Sequence, residues 1–192
     1  MLLRYQYSFL KKTKFDKLKG QILINDKIRF GMIKIGFGDV GIFDKHRSRT
    51  LLRVNGLIVF NGTARIGHGS KIGVAGKLIL GNNFQISAES SIVCNKKIVL
   101  GDDCLLSWDV LIMDTDTHKI YHNNKIVNPD EEIIIGNNNW IGCRSLILKG
   151  TRIGNNNIIG ANSTVAKKLL GENQIVVGSE NKIIKENISW SI

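Results

Sequence analysis

The sequence predicts an all-β fold in which short parallel strands coil into a three-sided prism. Three features indicate this fold: aliphatic residues spaced six apart, glycines directly after most of them, and asparagines between the repeats. The aliphatic positions are Ile135, Ile141, Ile147, Ile153, Ile159 and Val165, and glycine follows at Gly136, Gly142, Gly154 and Gly160. A spacing of six fits neither the period of 2 of a strand nor the period of 3.6 of a helix, so it indicates a repeat architecture.

Each six-residue unit supplies the parts that one side of such a prism needs. A short strand would point its aliphatic side chain inward, a turn would follow, and three units would close one coil. The turns need residues that tolerate positive φ, which glycine and asparagine do most readily. The asparagines expected at the turns are Asn137, Asn138, Asn139, Asn155, Asn156 and Asn157. Stacked coils would bury a continuous aliphatic core and pair their backbones with the coils on either side.

Composition limits the class of protein. The chain has 192 residues, enough for one domain with a hydrophobic core. No stretch approaches the roughly 18 apolar residues of a membrane span, and the first residues do not resemble a signal peptide. Three cysteines, Cys94, Cys104 and Cys143, suit a reducing compartment. The net charge of +11 favours an anionic partner, which charge alone does not identify.

We expect a single domain, residues 1–192, in three parts. Residues 1–21 are basic and amphipathic, residues 22–177 form the coils, and residues 178–192 form a C-terminal tail. The basic N-terminal element could contact a membrane surface. Packing on the side or end of the prism is the favoured interpretation.

The phase of the repeat locates an excursion from the prism. Inward positions begin at Ile66, Ile72 and Leu78, shift by two residues to Leu80, and continue through Ile86, Ile92, Ile98 and Cys104 to Val110. Cys104 is therefore predicted to be a small buried residue. The interval from Val110 to Ile135 is 25 residues, which is not a multiple of six. We therefore predict a loop over residues 114–132.

This loop contains the best candidate for chemistry. It begins with Asp114, Asp116 and His118 close together in the sequence DTDTH. A neutral histidine can take a proton from a hydroxyl group, and a nearby carboxylate can orient its ring. Because loops on a rigid scaffold commonly carry function, His118 is a candidate general base with Asp116 beside it.

Two stretches make a family resemblance specific. LSWDVLIMDTDTHKI and the later NWIGCRSLILKG resemble the hexapeptide-repeat acyltransferases, and within them the O-acetyltransferases of bacterial surface-polysaccharide pathways. The resemblance implies a left-handed parallel β-helix in which His118 deprotonates a sugar hydroxyl that attacks acetyl-CoA directly. The sugar would belong to capsule, exopolysaccharide or lipopolysaccharide. The resemblance also implies a homotrimer with active sites between prisms. We expect it in the bacterial cytoplasm, free or at the inner membrane, without a metal.

The resemblance also assigns residues to the acceptor and to the donor. Trp140, Asp114 and Glu89 are candidates for acceptor binding, and the candidates for acetyl-CoA binding are Cys143, Ala161, Ala166, Lys167, Lys182 and Lys185. Lysines suit phosphates because each acts as a point charge. One departure concerns residues 178–181, where the sequence lacks the family's proline and contains Glu180 instead. This departure affects the outer contacts to coenzyme A.

Four other interpretations fit the sequence less well. A metal hydratase of the γ-carbonic anhydrase kind shares this fold, but His118 and His122 have the wrong separation for it, and no third ligand follows in phase. A non-catalytic β-helix scaffold would not need the Asp-x-Asp-x-His loop. A cysteine nucleophile lacks a histidine beside it in sequence. Nucleic-acid binding lacks a platform of alternating basic and aromatic residues.

Overall fold

The computed structural model describes residues 7–9 and 13–191, and it confirms the all-β prediction. All the regular secondary structure in these residues is β-strand, and we number the strands β1 to β25 in chain order. No helix in the described part of the chain is long and apolar enough to cross a membrane. Three sheets form the sides of a prism, which we call faces A, B and C.

Face A consists of β1 (Tyr7–Phe9), β4 (Ile33–Phe37), β7 (Ala64–Gly67), β10 (Phe84–Ile86), β13 (Leu105–Leu106), β18 (Trp140–Ile141), β21 (Ile158–Ile159), β24 (Ile175–Val177) and β25 (Lys182–Lys185). Face B consists of β2 (Thr13–Leu18), β5 (Thr50–Val54), β8 (Lys71–Val74), β11 (Ser91–Cys94), β14 (Leu111–Met113), β19 (Leu146–Leu148) and β22 (Thr164–Val165). Face C consists of β3 (Gln21–Ile24), β6 (Leu57–Phe60), β9 (Lys77–Leu80), β12 (Lys97–Leu100), β17 (Ile133–Ile135), β20 (Arg152–Ile153) and β23 (Lys168–Leu169). A separate hairpin contains β15 (Tyr121–His122) and β16 (Lys125–Ile126).

The chain passes through faces A, B and C in turn and forms the predicted left-handed parallel β-helix. The inward positions at 135, 141, 147, 153, 159 and 165 are all buried, as are Cys104 and Val110. One coil takes 20 residues from Ile66 to Ile86 but 18 from Ile141 to Ile159. The longer coils have four-residue strands on face C, each with two inward side chains. The two-residue shift predicted at Leu80 is therefore a repeated feature of the early coils.

Asparagines form the corner between faces C and A, as predicted. Asn138 and Asn156 have φ of 51° and 57°, the left-handed conformation that the turn requires. Asn139 donates from Nδ2 to the Gly154 carbonyl at 2.8 Å, and its Oδ1 accepts from the Asn157 backbone at 3.0 Å. These side chains satisfy backbone groups that the strands leave free, because buried polar groups need partners.

The predicted boundary at residue 22 is wrong. Strand β1 pairs in parallel with β4, and β2 pairs in parallel with β5, so the coils already include residues 7–9 and 13–18. Residues 1–6 and 10–12 of the predicted N-terminal element lie outside the described residues, as does residue 192. A turn over residues 178–181 reverses the chain, and β25 runs antiparallel to β24.

Asp114 closes the corner from which the predicted excursion leaves the prism. Its side chain has no exposed surface, and its carboxylate accepts hydrogen bonds from the backbone N–H groups of Asn95, Lys96 and Lys97 at 2.7, 2.9 and 2.7 Å. The assignment of Asp114 to acceptor binding is therefore corrected. A fully buried carboxylate with three backbone donors stabilises the corner and has no surface to offer a sugar.

We predict that Asp114→Ala destabilises the fold strongly. Three buried N–H groups would lose their acceptor, at about 1–3 kcal/mol each, so the free energy of unfolding should fall by about 3 kcal/mol or more. Urea unfolding followed by circular dichroism measures the change. The matched control is Asp102→Ala, because the exposed Asp102 accepts from one backbone N–H, that of Asn82, at 2.7 Å. An equal loss of stability in both variants would contradict this role for Asp114.

Candidate active site

The excursion is a structured loop that joins β14 to β17. Its two ends are tied by a hydrogen bond from the Glu131 N–H to the Asp114 carbonyl at 3.1 Å. Between them, β15 and β16 form an antiparallel hairpin whose two-residue turn is Asn123 and Asn124, with φ of 47° and 58°. Two residues with positive φ are typical of a type I′ turn. The Asn-Asn pair was the sequence signal for this hairpin, which the repeat analysis did not use.

His118 is presented by a strained turn within this loop. Thr117 has φ of 61°, which is a true outlier for a β-branched residue. The His118 N–H donates to the Asp116 carbonyl at 2.7 Å and closes the turn around Thr117. The His118 side chain is exposed, and its ring makes no hydrogen bond to any described residue. Because strain of this kind persists only where the surroundings hold it, the turn indicates a functional position.

Asn128 holds this turn from the opposite strand of the loop. Its Nδ2 donates to the His118 carbonyl at 2.8 Å and to Asp116 Oδ2 at 2.9 Å. Its Oδ1 accepts from the Ile120 N–H at 2.6 Å. One side chain therefore fixes both sides of the histidine. Sequence reasoning missed Asn128, because nothing distinguishes it from the other polar residues of the loop until the hairpin is known.

Asp116 anchors the loop to the prism, and within the described residues its carboxylate makes no hydrogen bond to the His118 ring. It accepts from Lys149 Nζ at 2.6 Å as well as from Asn128, and Lys149 also donates to the Pro129 carbonyl at 3.3 Å. The hydrogen bond from Lys149, followed by that from Asn128, lowers the pKa of Asp116 below its ordinary value. The carboxylate is thus charged at neutral pH, and the anchor weakens only as the pH falls through this lowered pKa. The expected orientation of the ring by Asp116 is corrected accordingly.

Cys143 and Ala161 lie along a different edge, the corner between faces A and B, and Trp140 lies on the adjoining face A. The Trp140 indole donates to Ser107 Oγ at 2.9 Å and packs against Trp190, with 37% of its surface exposed. The Cys143 carbonyl accepts from the Asn162 N–H at 2.8 Å, beside the exposed Ala161 on the next coil. A Cβ on Gly142 would lie 2.6 Å from the Ala161 nitrogen, so glycine is needed for this close approach.

Glu89 lies farther along the same edge, at a turn with φ of 50°. Its carboxylate accepts from the Ser48 hydroxyl and from Lys71 Nζ, the latter at 3.1 Å. Burial opposes ionisation of Glu89, but the hydrogen bonds from Ser48 and Lys71 outweigh it and lower the pKa. Nearby, His68 is 2% exposed, and neither ring nitrogen has a hydrogen-bond partner among the described residues. Sequence reasoning missed His68 and the Ser48 loop, although residues 38–49 break the repeat spacing.

The predicted cofactor-binding lysines are divided between two places. Ala166 and Lys167 are exposed at the corner between faces B and C, where Lys167 Nζ donates to the Glu180 carbonyl at 2.9 Å. Lys182 and Lys185 are exposed on β25, at the edge of face A. The departure at residues 178–181 thus forms the turn that Lys167 contacts.

The predicted site residues therefore form two groups on one chain. His118, Asp116, Ala166 and Lys167 lie at the corner between faces B and C. Cys143, Ala161 and Glu89 lie at the corner between faces A and B, with Trp140 on the adjoining face A. Face B separates the corners by the length of a three-residue strand, roughly 10 Å. His118 lies at the corner opposite face A, which carries Trp140, and no hydrogen bond joins the two residues within the described part of the chain.

A cysteine nucleophile and a metal site, the two alternative chemistries, find little support in the described residues. Cys94 and Cys104 are fully buried, and burial raises the pKa of each thiol to about 12, so neither is a thiolate at neutral pH. Within residues 7–9 and 13–191, no three His, Cys, Asp or Glu side chains form a group that could hold a metal ion. His122 instead lies on the exposed hairpin, where its ring contacts Asn123 at 3.3 Å.

Comparison with known proteins gives matches to acetyltransferases. Residues 132–167 match the family model described as bacterial transferase hexapeptide (six repeats). A polysialic acid O-acetyltransferase of Neisseria meningitidis is 52% identical over 119 residues, which is 61% of this chain and 53% of that protein. A polysialic acid O-acetyltransferase of Escherichia coli O1:K1 / APEC is 34% identical over 77 residues, 38% of this chain and 25% of that protein. The chain therefore spans about half, or less, of the length of these relatives.

Solved structures agree with this comparison. The polySia-specific acetyltransferase NeuO has the same fold, with a TM-score of 0.69 and 22% identity over 95% of this chain and 90% of that chain. A galactoside acetyltransferase in complex with coenzyme A has a TM-score of 0.56 and 27% identity, over 67% of this chain and 64% of that chain. The predicted resemblance is confirmed: this chain has the left-handed β-helix fold, and its residues 132–167 match the bacterial transferase hexapeptide repeat.

Proposed function

We propose that this protein is an O-acetyltransferase that transfers acetyl from acetyl-CoA to a sugar hydroxyl of an acidic surface polysaccharide. The observation that carries the proposal is His118, an exposed imidazole on a strained turn that Asn128 and Lys149 fix to the prism. The 52% identity to a polysialic acid O-acetyltransferase supports the reaction class and makes polysialic acid the first acceptor to test. We place the reaction in the bacterial cytoplasm, where acetyl-CoA is made.

His118 would act as the general base. Its neutral ring would take the proton from the acceptor hydroxyl while the oxygen attacks the thioester carbonyl of acetyl-CoA, and coenzyme A would leave as the thiol. A positioned base of this kind contributes a rate factor of about 10²–10⁴. The Asp116–Lys149 anchor holds the loop and leaves the His118 ring free for the acceptor.

The active site would be completed by a second copy of the chain. The placement of His118 and Trp140 on opposite sides of the prism supports this arrangement, since a neighbouring prism would bring a second Trp140 toward His118. Face B also carries an apolar outer column, Leu111, Met113, Leu146 and Leu148, that pairs in register on β14 and β19. We propose a homotrimer in which one chain gives His118 and its neighbour gives Trp140, Cys143 and Ala161.

Coenzyme A would run along this second edge toward the C-terminal end of the prism. The close approach of Gly142 to Ala161 leaves a flat backbone surface that suits the pantetheine arm. The exposed side chains of Lys182 and Lys185, together with Lys167, would meet the phosphates. The galactoside acetyltransferase structure that contains coenzyme A supports this choice of donor.

We predict that His118→Ala lowers acetyl transfer by about 10²–10⁴ while the fold and assembly persist. Release of the coenzyme A thiol in the presence of polysialic acid measures the rate. The matched control is His122→Ala, since His122 is also an exposed histidine of the same loop. Wild-type turnover in the His118 variant would contradict the general-base role.

We predict that Asn128→Ala lowers kcat about tenfold or more without unfolding the protein. Because Asn128 holds the His118 carbonyl and Asp116, its loss should leave the base poorly positioned, and small misplacements have large effects on rate. The measurements are kcat and the thermal melting temperature. Asn55→Ala, an exposed asparagine outside the excursion loop, is the control. A wild-type kcat in the Asn128 variant would contradict the role of Asn128 in positioning His118.

We predict that Lys167→Ala and Lys185→Ala each raise the KM for acetyl-CoA severalfold, and that the wild-type KM rises with salt. Exposed charge pairs are screened within about 10 Å at 0.1 M salt, so both effects should have one electrostatic origin. The control is Lys27→Ala, an exposed lysine at the other end of the prism. If neither salt nor these substitutions changes the KM for acetyl-CoA, the lysines serve another partner.

A further inference from the structure

An outward-facing column on face A carries two cations that form no ion pair within the described residues. Lys34 of β4 lies directly opposite Arg65 of β7 in the parallel register. Like charges directly opposite one another destabilise a sheet. Among the described residues, neither side chain has an ion pair or a hydrogen bond to an acid. The pairing therefore weakens the fold slightly and leaves both charges available to an anion from outside.

A groove on the same face surrounds these cations. Two adjoining hollows of about 210 and 190 Å³ share Arg65 and Gln85 in their walls. The first also contains Lys34, Thr63 and Asn83, and the second is bounded by Gly38, Asp39 and Leu105. Gly38 has φ of 97°, and a Cβ there would lie 3.6 Å from the Arg65 guanidinium, so Arg65 lies across the groove close to this backbone.

The groove leads to the predicted acceptor residue Trp140. Along face A, Arg65 pairs with Gln85, Gln85 with Leu105, and Leu105 with Trp140. Neighbouring strands are about 4.8 Å apart, so Arg65 lies about 14 Å and Lys34 about 19 Å from Trp140 along the sheet. A chain of several linked sugars can cover this distance, whereas a single sugar at the active site cannot.

The chemistry of the groove suits an acidic glycan. The cationic side chains of Arg65 and Lys34 can form charge-assisted hydrogen bonds to carboxylates. The amides of Gln85 and Asn83 and the hydroxyl of Thr63 can form hydrogen bonds to sugar hydroxyls. Binding to single-stranded nucleic acid would need exposed aromatic rings on which bases stack. Phe84, the aromatic residue that lines the first hollow, is fully buried.

We propose that this face A groove binds the acidic polysaccharide acceptor at sugar units beyond the one that is acetylated. Carboxylates of the glycan pair with Arg65 and Lys34, and the chain continues over Gln85 and Leu105 to Trp140. Asp39 is the acidic side chain in the groove and opposes this binding. The inference rests on the proposed function, because it assigns these residues to the selection of a long acidic acceptor.

The test compares a Lys34→Gln/Arg65→Gln double variant with the wild type on oligomers of sialic acid. Two charge-assisted hydrogen bonds are lost, so we expect the dissociation constant and the KM for a long oligomer to rise about tenfold or more. The loss should appear in KM rather than in kcat. Asp39→Asn should act in the opposite direction and tighten binding, which a folding defect cannot explain. A Lys27→Gln/Lys77→Gln double variant, at two exposed lysines outside the groove, is the control of equal charge change.

Direct binding is measured by calorimetry with three probes: the sialic acid oligomer, the same oligomer with its carboxyl groups reduced, and a single-stranded oligonucleotide of equal charge. Tight binding of the sialic acid oligomer alone, lost in the double variant, supports the groove. If that binding is found without acetyl transfer, the groove stands and the proposed function fails. Normal transfer with an unchanged KM in the double variant overturns the groove and leaves the proposed function standing. Equal binding of the oligonucleotide overturns the assignment to an acidic glycan.

Discussion

Backbone pairing between successive coils is the constraint on which the rest of the structure depends. Each coil must lie one strand spacing, about 4.8 Å, from the next, with aliphatic side chains inward and every strand in register with its neighbours. Side-chain chemistry is therefore free only on the outer faces and at the corners. Any residue that must act on a substrate has to be placed at a corner or on a loop that leaves one.

The two corners beside face B meet this constraint in different ways. At the corner between faces B and C, the coil opens for residues 114–132, and Asp114 stabilises the break by accepting three backbone hydrogen bonds. The loop can then hold Thr117 in a strained conformation, because Asn128 and Lys149 tie it on both sides. At the corner between faces A and B, the coils stay regular, and the close approach of Gly142 to Ala161 leaves backbone exposed along a straight edge. One corner is built to present a side chain and the other to present a surface.

This difference explains what the sequence could predict. The period of six predicted the prism and the inward residues, and the interval from Val110 to Ile135 located the excursion correctly, because both follow from coil stacking alone. The same argument could not assign roles within the excursion. Asp114 and Asp116 look equivalent in sequence, yet one is fully buried and the other pairs with Lys149, since the fold of the loop depends on the hairpin turn at Asn123 and Asn124. The strands over residues 7–9 and 13–18 were missed because no six-residue spacing marks them, although they pair in register with later strands.

The distribution of charge gives the net +11 a physical meaning under the proposed function. Acetyl-CoA and an acidic polysaccharide are both anions, and they would repel each other if one basic site attracted both. Lys34 and Arg65 lie on the early strands of face A, whereas Lys182 and Lys185 lie on β25 at its other end. Six strand spacings separate β4 from β24, roughly 29 Å, which exceeds the Debye length of about 8 Å at physiological salt several times. Each anion would thus meet its own cations without sensing the charges of the other. Between the two basic ends, face A carries the uncharged outward residues Gln85, Leu105 and Trp140. A stack of rigid coils suits this task, because its length fixes the separation of the two basic ends more firmly than a flexible linker could.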